Sequence, residues 1–313
     1  MRPRAWAETE SKSADRSAMT EPLKQIASVF PSETGTSWVI LLRFLPMRLP
    51  YSLMKCLPFL AALMLALLAG CSSAPRIDKS HPSANFDNRV QFIVLHYTSA
   101  SLPRSLALLT HGEVSAHYLI GDGPATIYAL VDESKRAWHA GDSQWDGRTW
   151  LNSSSIGIEI VSPGYKDSSA GRVWYPYSEA QIESLIYLLK DISTRYRIEP
   201  RYIVGHSDIA PLRKLDPGPL FPWQRLAQAG FGLWPDAQAV ARQKARFDVN
   251  PPSVTWYQQE LARLGYNTPQ TGTLDVTTQH VIAAFQMHYR PQRFDGVPDA
   301  QTAAILQVLN GMR

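Results

Sequence analysis

The run Tyr202-Ile-Val-Gly-His206 is apolar and β-branched, and it stops abruptly at a glycine and a histidine. A strand that ends this way delivers a side chain to the edge of a sheet. The residues after it are polar and include Pro211, so they read as a loop. That loop returns Lys214 and Asp216 before Pro217-Gly218-Pro219 turns the chain. A histidine at a strand end and an aspartate on a returning loop make two-thirds of a metal site. A second apolar run, Phe92-Ile-Val-Leu-His96, supplies the missing ligand from a neighbouring strand. Zinc takes neutral imidazoles and carboxylates, and a catalytic site keeps three protein ligands and one open position. His96, His206 and Asp216 meet that requirement. Two strand-end histidines with ordinary hydrogen bonds would read the same way, and it is Glu159 and Lys214 that tilt the reading to zinc.

Ser155-Ile-Gly-Ile-Glu159-Ile is another strand, on which Glu159 faces away from Ile158 and Ile160. An unpaired carboxylate in such surroundings is costly. Glu159 therefore either forms a structural ion pair or faces a polar site, where it would act as general base toward water. Lys214 stands two residues before Asp216, so an extended segment puts both on one side, where a cation can hold an oxyanion. The plainer reading of Lys214 is a solvated loop charge. His117, Trp138 and His139 are candidates for the cleft wall, His117 equally for the core.

The beginning of the chain is not fold. Met54-Lys55 followed by the apolar run Leu57 to Gly70 has the basic start and short core of a signal peptide. The run falls short of the roughly 20 residues that a membrane span needs. Leu68-Ala-Gly-Cys71 resembles the bacterial lipobox, which implies lipidation of Cys71, and Ser72 after it implies retention at the outer membrane. The expected organisation is an upstream extension over 1–46 from a misplaced start, a lipoprotein signal peptide over 47–70 and a tether over 71–88. An α/β domain with a central mixed sheet flanked by helices follows over 89–229, then a linker over 230–252, then a small three-helix domain over 253–313. Ser178 with Gln181 fits a capping box opening a helix with Ile182, Leu185, Ile186, Leu189, Ile192 and Tyr196 on one face. Both cysteines, Cys56 and Cys71, precede the folded part, which therefore has no disulfide. The net charge of +4 is too small to argue for nucleic acid.

The motifs come in a specific order: Phe92-Ile-Val-Leu-His96-Tyr-Thr, Ser115-Ala-His-Tyr118, Ala137-Trp-His-Ala-Gly141, Ser155 to Ile160, and Val204-Gly-His-Ser-Asp-Ile-Ala-Pro211 through Lys214 and Asp216-Pro-Gly-Pro219. This set, over roughly Arg89 to Ala229, resembles the type 2 N-acetylmuramoyl-L-alanine amidases. The resemblance implies zinc on His96, His206 and Asp216, with Glu159 and Lys214 catalytic. Phage members of that family carry a catalytic Tyr where this chain has Ala116, and Cys where it has Asp216. A branch of the family uses a Glu on the strand matched by Glu159. The expected substrate-binding set is His117, Trp138, His139, Asn152 and Arg213. Leu261 to Tyr266, Gly272 to Asp275, Ala283-Ala-Phe-Gln286, Asp295-Gly296 and Asp299 resemble the three-helix peptidoglycan-binding domain.

The expected function is hydrolysis of the amide between the lactyl group of N-acetylmuramic acid and L-alanine of the stem peptide. The expected partners are peptidoglycan or muropeptides and, through the lipid, the outer membrane; a monomer is expected. A non-catalytic peptidoglycan-binding lipoprotein is the alternative. A zinc D,D-peptidase is disfavoured, because such enzymes typically order their ligands His, Asp, His along the chain.

Overall fold

A computed structural model of the protein describes residues 75–312. The expected signal peptide and Cys71 lie outside the described residues. Residues 75–88, the described part of the expected tether, carry no helix or strand. The compact unit Pro82–Arg313 holds everything that follows.

The chain runs β1 (Phe92–Tyr97), α1 (Leu102–His111), β2 (Tyr118–Ile120), β3 (Ile127–Ala129), the short pair β4 (Gln144–Trp145) and β5 (Arg148–Thr149), then β6 (Ser155–Ile160). A hairpin of β7 (Tyr165–Ser168) and β8 (Gly171–Trp174), α2 (Glu179–Tyr196), β9 (Ile203–Gly205) and α3 (His206–Ile209) come next. One sheet has the order β3-β2-β6-β1-β9, antiparallel between β2 and β3 and parallel elsewhere. This is the expected mixed sheet. Its register sets Ile93 beside Ile156, Leu95 beside Ile158, and His96 beside Glu159. Paired residues of neighbouring strands share a face.

That alternation sorts the sheet. Ile93, Leu95, Ile156, Ile158 and Ile160 form one face, and α2 covers it with Ile182, Leu185, Leu189 and Ile192. Each such side chain contributes about 1.5–3 kcal/mol by burial. The expected capping box opens α2: Ser178 Oγ accepts from Gln181 N–H, and Gln181 Oε1 accepts from Ser178 N–H. The other face carries Phe92, Val94 and His96 on β1 and Ser155, Gly157 and Glu159 on β6. It is apolar at one end and polar at the other.

Two expectations are corrected. The polar residues after Gly205 are not a loop but the helical turn α3. Asp208 Oδ2 accepts the N–H of Gly205 at 2.7 Å, and Ala210 N–H bonds the His206 carbonyl at 3.0 Å, which closes the turn. The stretch 230–252 is not an open linker. After the short α4 (Trp223–Gln228) it forms α5 (Ala237–Val249), started by Asp236, whose carboxylate accepts from Ala239 N–H.

The C-terminal part has the expected three helices, α6 (Val254–Leu264), α7 (Val276–Tyr289) and α8 (Ala300–Asn310), each opened by a capping Ser or Asp. Helix α5 packs along α8. The domain does not stand apart. Phe92, Val94 and Val204 of the sheet, with Trp145, Leu151 and Ile209, pack in one cluster with Tyr257, Leu261, Phe285 and Leu306. The two parts also share a buried polar knot. Asp208 Oδ1 accepts from Tyr266 Oη–H at 2.6 Å, and Asp208 Oδ2 lies 2.8 Å from His288 Nδ1. The His288 ring is stacked between Trp223 and Tyr289, at centroid distances of 3.8 and 3.9 Å.

Candidate active site

The polar end of the second sheet face is where β1, β6 and β9 terminate together. His96 stands near the end of β1, and His206 is the first residue after β9. Gly205 is required there by contact: a Cβ on it would lie 2.6 Å from Pro217 Cδ. That close approach brings the Asp216 segment against α3, where Ser207 N–H donates to the Asp216 carbonyl at 2.8 Å. His96 Nδ1 lies 3.0 Å from His206 Nδ1 and 2.9 Å from Asp216 Oδ2, and His206 Nδ1 lies 3.1 Å from the same oxygen. All three residues are buried. They are the one group among the described residues whose donor atoms converge as metal ligands do.

The residues fit a metal. His206 Nε2 is 3.1 Å from the Ala140 carbonyl, which can only accept, so that nitrogen carries the proton and a neutral His206 turns a lone pair on Nδ1 inward. The lone pair meets the carboxylate oxygen of Asp216 and the Nδ1 of His96. Acceptor against acceptor at 3 Å is unfavourable unless a cation lies between. A tetrahedral ion with bonds of about 2.0–2.1 Å spaces its ligands by about 3.3 Å, close to the triangle found. Burial, then the neighbouring His206, lowers the His96 pKa to about 4 against the opposing pull of Asp216. A neutral imidazole is the form that ligates. Interaction with both histidines outweighs burial at Asp216 and holds its carboxyl far below the ordinary carboxylate range.

Glu159 shares the face of His96, as its place on the strand implied. Its Oε2 is buried and has no hydrogen-bond partner among the described residues. Burial pushes its pKa well above the usual range, the charge of Asp216 adds to this, and Lys214 opposes it. A buried carboxyl with a perturbed pKa between a carboxylate and an ammonium is a candidate for proton transfer. Lys214 is half-buried, and its charge acts on both Glu159 and His96.

The expected substrate-binding residues divide. Trp138 is 52% exposed, its ring under the Arg136 guanidinium, and Arg213 is exposed, donating to the carbonyls of Ala140 and Asp142. His117, His139 and Asn152 are buried, at 0, 8 and 6% exposure. Both nitrogens of His117 are taken, Nδ1 by Gly157 N–H and Nε2 by the Lys135 carbonyl. His117 is thus the core residue of the two readings, and the cleft-wall reading is corrected. His139 Nδ1 lies 3.1 Å from His96 Nε2, the ring nitrogen opposite the one in the triangle, and Asn152 Oδ1 accepts the N–H groups of His139 and Ala140. The sequence reading passed over Ser155 and Gly157. The signal was the run of small residues, Ser155 and Gly157, on the one face of β6 that also carries Glu159.

Comparison with known proteins agrees with this geometry. Residues 86–219 match the family model described as N-acetylmuramoyl-L-alanine amidase, and residues 250–306 match one described as a peptidoglycan binding domain. The chain is 43% identical over 258 residues to the N-acetylmuramoyl-L-alanine amidase AmiD of Escherichia coli, covering 78% of this chain and 93% of that protein. The solved complex of E. coli AmiD with the substrate anhydro-N-acetylmuramic acid-L-Ala-D-gamma-Glu-L-Lys superposes with a TM-score of 0.70 at 41% identity, covering 77% of this chain and 96% of that one. AmpDh3 of Pseudomonas aeruginosa in complex with anhydromuramic pentapeptide gives a TM-score of 0.71 at 38% identity, covering 77% and 98%. These likenesses span both the sheet domain and the C-terminal helices, and with them the chain belongs to the N-acetylmuramoyl-L-alanine amidase family.

Proposed function

We propose that this chain is a zinc-dependent amidase that cleaves the bond between the lactyl group of N-acetylmuramic acid and L-alanine of the stem peptide. The observation that carries the reading is the triangle of His96, His206 and Asp216 with Glu159 on the same sheet face, its buried Oε2 without a hydrogen-bond partner among the described residues. Zinc held by that triangle would lower the pKa of water toward about 7 and polarise the substrate carbonyl. Glu159 takes the proton from the attacking water. It then returns that proton to the leaving amine of L-alanine, which would otherwise depart as an anion. The Lys214 ammonium holds the negative charge that develops on the carbonyl oxygen. The presence of all three candidate ligands disfavours a purely binding role.

The C-terminal helices supply retention on the polymer in this reading. Lipidation of Cys71 and an outer-membrane address for the enzyme are supported by the Leu68-Ala-Gly-Cys71 run and by Ser72. Purified protein incubated with muropeptides should release intact stem peptides, detected by mass spectrometry, with about one zinc per chain by elemental analysis. Release that survives complete removal of metal would sink the zinc reading; cleavage inside the peptide would sink the amidase reading. A Cys71→Ala chain should leave the membrane fraction, and one that still sediments with outer membranes would refute the anchor.

A further inference from the structure

We propose that His139 is a positioning residue that sets the metal-binding tautomer of His96, and that the His139-Ala140 dipeptide thereby aims both candidate metal histidines. This rests on the metal reading above.

The deduction starts at a fixed end. The Leu151 carbonyl can only accept, and Ser155 Oγ–H donates to it at 2.6 Å. That uses the one proton of the Ser155 hydroxyl. Toward His139 Nε2, at 3.1 Å, the same oxygen must then accept, so His139 carries its proton on Nε2. Its Nδ1 is left with a lone pair. That lone pair faces His96 Nε2 at 3.1 Å, so His96 donates from Nε2. His96 Nδ1 consequently keeps its lone pair, and Nδ1 is the atom in the triangle with His206 and Asp216. The other tautomer of His139 would set N–H against N–H.

The second ligand is set from the next residue. His206 Nε2–H donates to the Ala140 carbonyl, which leaves His206 Nδ1 free. The dipeptide itself is pinned: Asn152 Oδ1 accepts from His139 N–H at 3.0 Å and from Ala140 N–H at 2.7 Å. Leu151 and Asn152 belong to one 3-10 turn, Leu151–Ser153, so a single turn holds both ends of the arrangement. Gly157 makes the space, since a Cβ there would stand 2.3 Å from the His139 ring. Partners that orient ligating imidazoles typically matter by about 10–100-fold in metal affinity.

The test is zinc affinity, read by competition with a chromophoric chelator. His139→Leu keeps bulk but removes the acceptor, and should weaken zinc binding by about 10–100-fold. His139→Asn places Oδ1 where Nδ1 stands and should recover most of that loss. Long-range ¹H–¹⁵N spectra of the zinc-loaded wild type should show His139 protonated on Nε2 and bare on Nδ1. Wild-type affinity in His139→Leu, or a His139 protonated on Nδ1, would overturn the proposal. Should His139→Leu fail to fold, the wild-type spectrum decides alone. A wild-type protein that binds no zinc at all would instead overturn the metal reading, which keeps the two failures distinct.

Discussion

Replacing Tyr266 with Phe tests whether the C-terminal helices are an appendage or part of the catalytic unit. Tyr266 lies in the C-terminal part, yet its hydroxyl donates to Asp208 Oδ1 at 2.6 Å, and Asp208 sits on the turn that begins with His206. Burial and the Asp208 charge push the Tyr266 pKa well above its ordinary value, so the hydroxyl stays a donor at any working pH. Tyr266→Phe keeps the ring against Trp145, with centroids 4.8 Å apart, and removes only that donor. Asp208 retains Gly205 N–H and His288 but loses the partner of one buried oxygen. A hydrogen bond to a charged group contributes about 1.5–3 kcal/mol. In a unit of this size that lowers the melting temperature by about 3–12 °C. Scanning calorimetry should show one transition that moves as a whole, because the core cluster runs through both parts. Zinc affinity should fall with it, since the turn carrying His206 loosens. Two separate transitions, with Tyr266→Phe moving only one of them, would refute the reasoning. By the same logic, deleting residues 253–313 should cost metal binding as well as retention on the polymer.

Glu159→Gln should retain about one zinc per chain while turnover of a soluble muropeptide drops by roughly 10²–10⁴-fold, the usual contribution of a general base; a metal-free variant would make Glu159 a ligand. Gly205→Ala should disturb the site without touching a ligand, because its Cβ would meet Pro217 Cδ at 2.6 Å; zinc affinity equal to wild type would contradict the close-approach argument. Glu133 predicts acid sensitivity: burial tends to raise its pKa, but bonds from Arg195, Tyr118 and Tyr196 outweigh it and lower the pKa from 4.5 to about 2. A carboxylate held low in the fold stabilises it above its unfolded pKa, and that stability is lost as pH falls from about 4.5 toward about 2. Urea titrations across that window should show a shallower decline for Glu133→Gln, and an unchanged slope would remove Glu133 from the account.

The mixed sheet and the meeting of His96, His206 and Asp216 were readable in the sequence for the same physical reason. Strand burial writes itself as apolar runs, and a run that halts at His96 or at Gly205-His206 marks where a sheet edge becomes a site. The alternation around Glu159 told its face, and the capping box at Ser178 told where α2 begins. The ordered motifs added the chemistry. What the sequence could not carry is anything that depends on which surfaces meet. Asp208 reads as a loop residue until Tyr266 and His288, distant in the chain, close around it. His139 and Asn152 read as cleft residues because a polar residue in a motif looks the same whether it lines a cleft or braces its neighbours. Only the placement of the His139 ring over Gly157, and of Asn152 under two backbone amides, assigns them to the support. Periodicity records how each segment meets its own sheet or helix, whereas a hydrogen-bond relay across three segments leaves no period and exists only once the chain has folded.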